Sequence, residues 1–159
     1  MEVELLKALE HNCRLSDEQI ARMLDKETGD LKAEIKKLED DRVILAYKAI
    51  VDWDKVENES VHAIIELKIT PQRDQGFDKV ARKIYRYPEV ESLYLMSGGY
   101  DLCVQLSGKT MKEVAYFVAR RLAVMEEVVA TATHFVLKKY KEMNVIFDDP
   151  ESDERGNII

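Results

Sequence analysis

Four consecutive residues, Gly98-Gly99-Tyr100-Asp101, combine side-chain types that can hold a small charged molecule. Two glycines permit positive φ and let a ligand or another backbone come close. Backbone N–H groups of such a turn can meet a carboxylate, and Asp101 can accept from an ammonium. The same residues also suit an ordinary glycine turn between two strands, with Asp101 capping it. Thr131 and Thr133 would show both hydroxyls on one strand face, able to reach across an interface; β-propensity alone also favours threonine there. Lys32, Lys36 and Lys37 form a third group, cations on the polar face of a helical segment. His11, His62 and His134 fall at a helix end and on two strands, without metal-ligand spacing. No nucleophile–base pair and no phosphate loop is visible. Cys13 and Cys103, with no CxxC, read as two core or half-buried thiols in a reducing cytosol. No cofactor, no metal and no catalytic residue is expected.

Periodicity along the chain marks the helices and strands that carry these groups. With 159 residues and 46% apolar side chains, the chain can bury a real core as one domain or two small ones. No apolar run approaches the eighteen or so residues needed to span a bilayer, and the N-terminus is no secretory signal. Val3, Leu5, Leu6 and Leu9 line one helix. Ser16 with Gln19 three residues on opens a second through a capping box. Leu31, Ile35 and Leu38 line a third, from about Thr28. Three such short helices must share a core, which implies a tri-helical unit of helix-turn-helix type or a plain helical hairpin. Val43 to Val51 reads as a strand or strand pair, and the polar stretch after it as a linker, with Trp53 packing against a neighbouring domain.

Beyond the linker the order is β-α-β-β-α-β, the split βαβ or ferredoxin-like arrangement. Its strands are Val61 to Ile69 (ended by Pro71), Val90 to Met96, Tyr100 to Leu106 and Val128 to Leu137, with Met143 to Phe147 as a possible fifth. Helices follow from the stripes Phe77/Val80/Ala81/Ile84 and Met111/Val114/Ala115/Val118/Leu122. Two helices cover one sheet face. The other, assigned Ile64, Cys103, Val128, Ala130 and Val136, is too apolar to leave wet, which implies a homodimer. The expected fold class is therefore α+β. Its parts are a helical domain at 1–45, a linking strand and linker at 46–60, a ferredoxin-like domain at 61–147 and an acidic tail at 148–159.

Charge is unevenly spread along the chain. The formal net charge is −7, with 10 basic against 16 acidic residues over 1–59 but 13 against 10 over 60–147. Overall balance does not advertise a nucleic-acid surface.

Four segments resemble the Lrp/AsnC (leucine-responsive/asparagine-operon regulator) family of transcription factors. They are Leu5-Leu6 with Asn12 to Ala21, Ile35 to Ile44, Ser97 to Leu102, and Thr131 to Leu137, in family order across about residues 3–140. The resemblance implies a cytoplasmic DNA-binding regulator with an N-terminal helix-turn-helix and a C-terminal effector-sensing domain. It implies dimers assembling to tetramers or octamers, and an amino acid or similar effector bound near subunit contacts. On that basis Ser16, Thr28, Lys32, Lys36 and Lys37 are expected at double-stranded DNA. Gly98, Gly99, Tyr100, Asp101, Thr131 and Thr133 are expected at the effector.

The third helix departs from the family pattern. The turn glycine is Asp25, the capping serine is Glu27 with Thr28 able to replace it, the threonine is Asp30, the arginine before Ile35 is Glu34, and the glycine after the helix is Arg42. A recognition helix needs donors for phosphates and base edges, yet here Asp30, Glu34 and Glu39 offset three lysines and no arginine is present. Presentation of several helices by an oligomer would compensate. The alternative is an effector-sensing module that no longer binds DNA. Siroheme decarboxylases share the two-domain shape, but the histidine placement does not support a tetrapyrrole site.

Overall fold

The computed structural model describes residues 2–56, 60–70 and 76–147. Pro71, linker residues 57–59 and the acidic tail at 148–159 lie outside the described residues. Contacts divide the chain into two compact units, Met1–Ala49 and Ile50–Ile159.

In the first unit, α1 (Glu2–His11), α2 (Asp17–Met23) and α3 (Thr28–Asp40) share one small core of Leu5, Ile20, Ala21, Leu31 and Leu38. Ile35 and Ile44 pack at its margin. Ser16 and Gln19 form the expected capping box. The Ser16 hydroxyl accepts from the Gln19 N–H at 3.2 Å, and the Gln19 side chain accepts from the Ser16 N–H at 2.8 Å. Glu27, not Thr28, is the N-cap of α3, and it makes no side-chain cap bond.

Both departures from the family glycines fall at helix ends that need left-handed backbone. Asp25 has φ 52° and Arg42 has φ 57°. Each is the turning residue of a Schellman motif: the Lys26 N–H reaches back to the Ala21 carbonyl at 2.9 Å, and the Val43 N–H to that of Leu38 at 2.8 Å. Aspartate tolerates this region better than arginine, whose Cβ crowds the following carbonyl. Arg42→Gly is therefore expected to stabilise the first unit by about 1 kcal/mol, read as a shift in the midpoint of its denaturant unfolding.

The expected strand over Val43 to Val51 does not form within one chain. Residues 45–52 have no ladder, and Leu45, Tyr47, Ile50 and Val51 are exposed. A strand needs a partner for its N–H and C=O groups, and the described part of the chain offers none. One contact hooks the segment to α3: the Tyr47 hydroxyl donates to Glu39 Oε1 at 3.0 Å. Partial burial and that carboxylate push the Tyr47 pKa up to about 12. Trp53 sits in a short 3-10 turn and is 44% exposed.

The second unit has the anticipated β-α-β-β-α-β order: β1 (Val61–Ile69), α4 (Asp78–Ile84), β2 (Val90–Leu95), β3 (Leu102–Gly108), α5 (Met111–Phe117) and β4 (Val128–Phe135). The sheet is antiparallel, in the order β2-β3-β1-β4. In place of a fifth strand, a short hairpin pairs β5 (Lys141–Glu142) with β6 (Val145–Ile146). This is an α+β fold.

Ala63, Ile65, Leu67 and Ile69 of β1 and Leu102, Val104 and Leu106 of β3 pack under the helices. A π-helical turn, Val118–Leu122, continues α5. Val118 and Leu122, four residues apart, both remain buried on the core side of this turn.

The face opposite the helices is more polar than expected. Val128 is not on it: Val128 pairs with Ile69 and packs against the core. A bulge between Lys68 and Ile69 shifts the register there, so Val128 and Ala130 take opposite faces despite even spacing. Ile64, Cys103 and Ala130 remain outward, alongside Glu66, Lys68 and His134. Glu66 and His134 are 3.1 Å apart. Cys103 is half-buried, and desolvation with the Glu66 charge raises its pKa, whereas Cys13 is exposed rather than buried.

Candidate functional site

Helix α3 presents the lysines expected at DNA. The four residues Leu24 to Glu27 join it to α2, and its buried face, Leu31 and Leu38, fixes its rotation. Lys32, Lys36 and Lys37 are exposed on the remaining surface. Their charge is partly spent within the unit. Lys32 lies 3.7 Å from Asp17 and 3.8 Å from Glu18, while Lys36 lies 3.3 Å from Asp40. These are exposed pairs of small worth that water or phosphate can replace. Glu34 is held by Lys26, a half-buried pair that keeps one acid of α3 occupied. Lys37 has no ion pair among the described residues. Ser16 is engaged in its cap, and Thr28 is the half-buried first residue of α3.

In the second unit, Gly98-Gly99-Tyr100-Asp101 forms the connection between β2 and β3. Gly98 has φ 142°, a backbone that other residues rarely adopt. Within one chain neither Gly98 nor Gly99 is crowded, since a Cβ at either would meet nothing within 4 Å. The space beside this turn is open.

Asp101 has a structural task. One carboxylate oxygen accepts from the Ile69 N–H at 2.8 Å and the other from Lys68 Nζ at 3.1 Å. Its own N–H donates to the Leu67 carbonyl at 2.9 Å. Asp101 thus satisfies the Ile69 N–H just past the end of the β1–β3 ladder and ties the turn to the sheet. The Ile69 N–H and then Lys68 hold its pKa below the usual carboxylate value.

A depressed carboxylate pKa contributes stability above the unfolded value, about 3.9, that is lost as pH falls through the folded value. Asp101→Asn is expected to lower the melting temperature at neutral pH and to flatten its fall below about pH 4. Thermal denaturation of both proteins across that range checks this.

Thr131 pairs with Leu67 and Thr133 with Ile65, so both hydroxyls lie on the helix side of β4, not on the bare face. Thr131 and the turn share one end of the sheet, with β1 between them. One chain does not bring the two groups into a single pocket. Two surface clefts of this unit are lined by other residues, one by Trp53, His62 and Lys138, the other by Lys79, Arg82 and Arg86.

Spacing gave no sign of Lys83 and Glu127, 44 positions apart and 3.0 Å from each other. Glu127 is 5% exposed, the one buried charge among the described residues. Hydrogen bonding to Lys83 lowers its pKa. The pair joins α4 to the start of β4.

Residues 62–146 match the Lrp/AsnC ligand binding domain. An HTH-type transcriptional regulator of Bacillus subtilis, YugG, is 47% identical over 155 residues, spanning 97% of this chain and 93% of that protein. The chain belongs to the Lrp/AsnC family. It is accordingly a transcriptional regulator and not an enzyme. A transcriptional regulator from Neisseria meningitidis, crystallised with L-Met, superposes with a TM-score of 0.72 at 25% identity, covering 89% of this chain and 90% of that one. AsnC of Escherichia coli has the same fold, with a TM-score of 0.68 at 16% identity over 89% of this chain and 93% of that one. No helix among the described residues is long and apolar enough to cross a membrane.

Proposed function

We propose that this Lrp/AsnC regulator binds double-stranded DNA through Met1–Ala49, acting as a helix-turn-helix, in the cytoplasm. The supporting observation is the four-residue turn between α2 and α3, which leaves Lys32, Lys36 and Lys37 on the exposed side of the second helix of the pair. Ser16 and Thr28 sit at the N-terminal ends of α2 and α3, where N–H groups favour phosphate.

The second unit senses an amino acid or similar small molecule at contacts between copies of the chain. The open Gly98-Gly99-Tyr100 turn supplies one wall, Asp101 holds that turn in place, and a neighbouring copy closes the site. Thr131 and Thr133 offer hydroxyls at the β4 edge. The L-Met complex of the Neisseria relative supports this class of ligand. Homodimers assemble further, to tetramers or octamers. The effector shifts that equilibrium by its differential affinity for two assemblies, and so changes the spacing of the DNA-reading helices.

A second reading, an effector module that no longer binds DNA, is favoured by one feature: α3 sets Asp30, Glu34, Glu39 and Asp40 against its three lysines. Sedimentation of the full chain on a labelled upstream duplex, with and without pooled L-amino acids, tests the proposal. A change of both assembly mass and bound DNA on adding amino acids is expected. Identical mass and binding in both conditions would overturn the sensing role, and no complex even at low salt would favour the second reading.

A further inference from the structure

Positive charge in this protein is concentrated on the helix-covered face of the second unit rather than on α3. Lys79, Arg82 and Lys83 lie on α4, with Arg86 just past its end, and the four line one cleft beside Phe77 and Leu95. Across the 78–86 segment only Asp78 opposes them. Glu127 pins Lys83 from below at 3.0 Å. Arg82 and Arg86 are exposed, with no ion pair among the described residues.

Next to this cleft the patch continues onto the end of α5. Arg121 lies 5.9 Å from the ring of Tyr87, which packs edge-on against Phe117 at 5.3 Å. Arg120 stacks 4.9 Å from the Tyr116 ring, with Lys112 at 5.6 Å from the same ring. Aromatic contacts orient these side chains without neutralising them. In sequence, the acids flanking this part of the patch are Glu113 on α5 and Glu126 and Glu127 beyond the π-helical turn, with Glu89 and Glu91 following Arg86 and Tyr87.

We infer that the α4 and π-turn face of the second unit is a second, sequence-independent contact for the DNA backbone, led by Arg82, Arg86, Arg120 and Arg121. The inference rests on the DNA-binding reading proposed above. It answers a deficit in that reading: α3 carries more acids than lysines, whereas this face offers arginines, which bind phosphate bidentately. Backbone contacts add affinity and salt dependence without reading bases.

The test is the salt dependence of full-chain binding to the upstream duplex and to a scrambled duplex. Each lost phosphate contact lowers the slope of log K against log salt by about 0.9. Arg82→Gln/Arg86→Gln is expected to reduce the slope by nearly two on both duplexes and leave the ratio of their affinities unchanged. Arg82→Lys/Arg86→Lys keeps the charge and should keep most of the slope, which separates charge from folding. Arg120→Gln/Arg121→Gln, away from the α4 cleft, should lower the slope in the same way.

A wild-type slope retained in both Gln pairs would overturn the backbone contact while leaving DNA binding by α3 intact. A wild-type protein that binds neither duplex would overturn both. Titration with tripolyphosphate completes the test. Saturable binding lost in Arg82→Gln/Arg86→Gln, with an unaltered duplex slope, would identify a small-anion cleft and contradict the inference.

Discussion

Leu31→Ala is expected to unfold the first unit and abolish DNA binding while the second unit keeps its fold. Leu31 is fully buried at the centre of a core with only four other buried members. Truncating such a leucine removes its transfer free energy and leaves a cavity, at a cost of about 3 kcal/mol. A helical unit of this size has little margin to absorb that. Thermal unfolding should show an early loss of helix with the sheet transition retained. Duplex binding should disappear, whereas any amino-acid response measured by mass should survive.

Leu67→Ala is expected to produce the reciprocal pattern. Leu67 is fully buried on the central strand β1, between Leu102 on β3 and Thr131 on β4, and its carbonyl accepts the Asp101 N–H. The cavity should cost about 3 kcal/mol and loosen the glycine turn at the same time. Assembly and effector response should be lost. Binding to DNA should persist only weakly, since a lone helical unit forfeits avidity. Together the two variants test whether the units fold independently, as their separate cores imply.

Much of this architecture can be read without coordinates because local signals suffice for it. The Ser16–Gln19 box starts α2, the Leu31/Ile35/Leu38 stripe orients α3, and alternation along Val61 to Ile69 marks β1. What escapes the sequence depends on partners distant in the chain. Residues 43–51 have the composition of a strand, but pairing requires a neighbour that the described residues do not supply. Even spacing along 128–136 predicts a single face, yet the bulge opposite Lys68 turns Val128 inward. Asp101 has the chemistry of a ligand for an ammonium. Only the pairing of β1 with β3 reveals that the Ile69 N–H and Lys68 claim it. Asp25 and Arg42 illustrate the converse: motif comparison marks them as missing glycines, and their positive φ shows that the turn geometry persists without glycine.

The proposed regulatory role depends on an acid-rich α3 that still reads DNA. The most direct measurement is the affinity of the full chain for its own upstream duplex relative to a scrambled duplex of equal length and composition, in wild type and in Lys32→Gln/Lys37→Gln. At least a tenfold preference for the upstream duplex is expected in wild type, within the range specific regulators show, with its collapse in the variant. Equal affinity for the two duplexes in wild type, or a preference that survives the loss of both lysines, would contradict it.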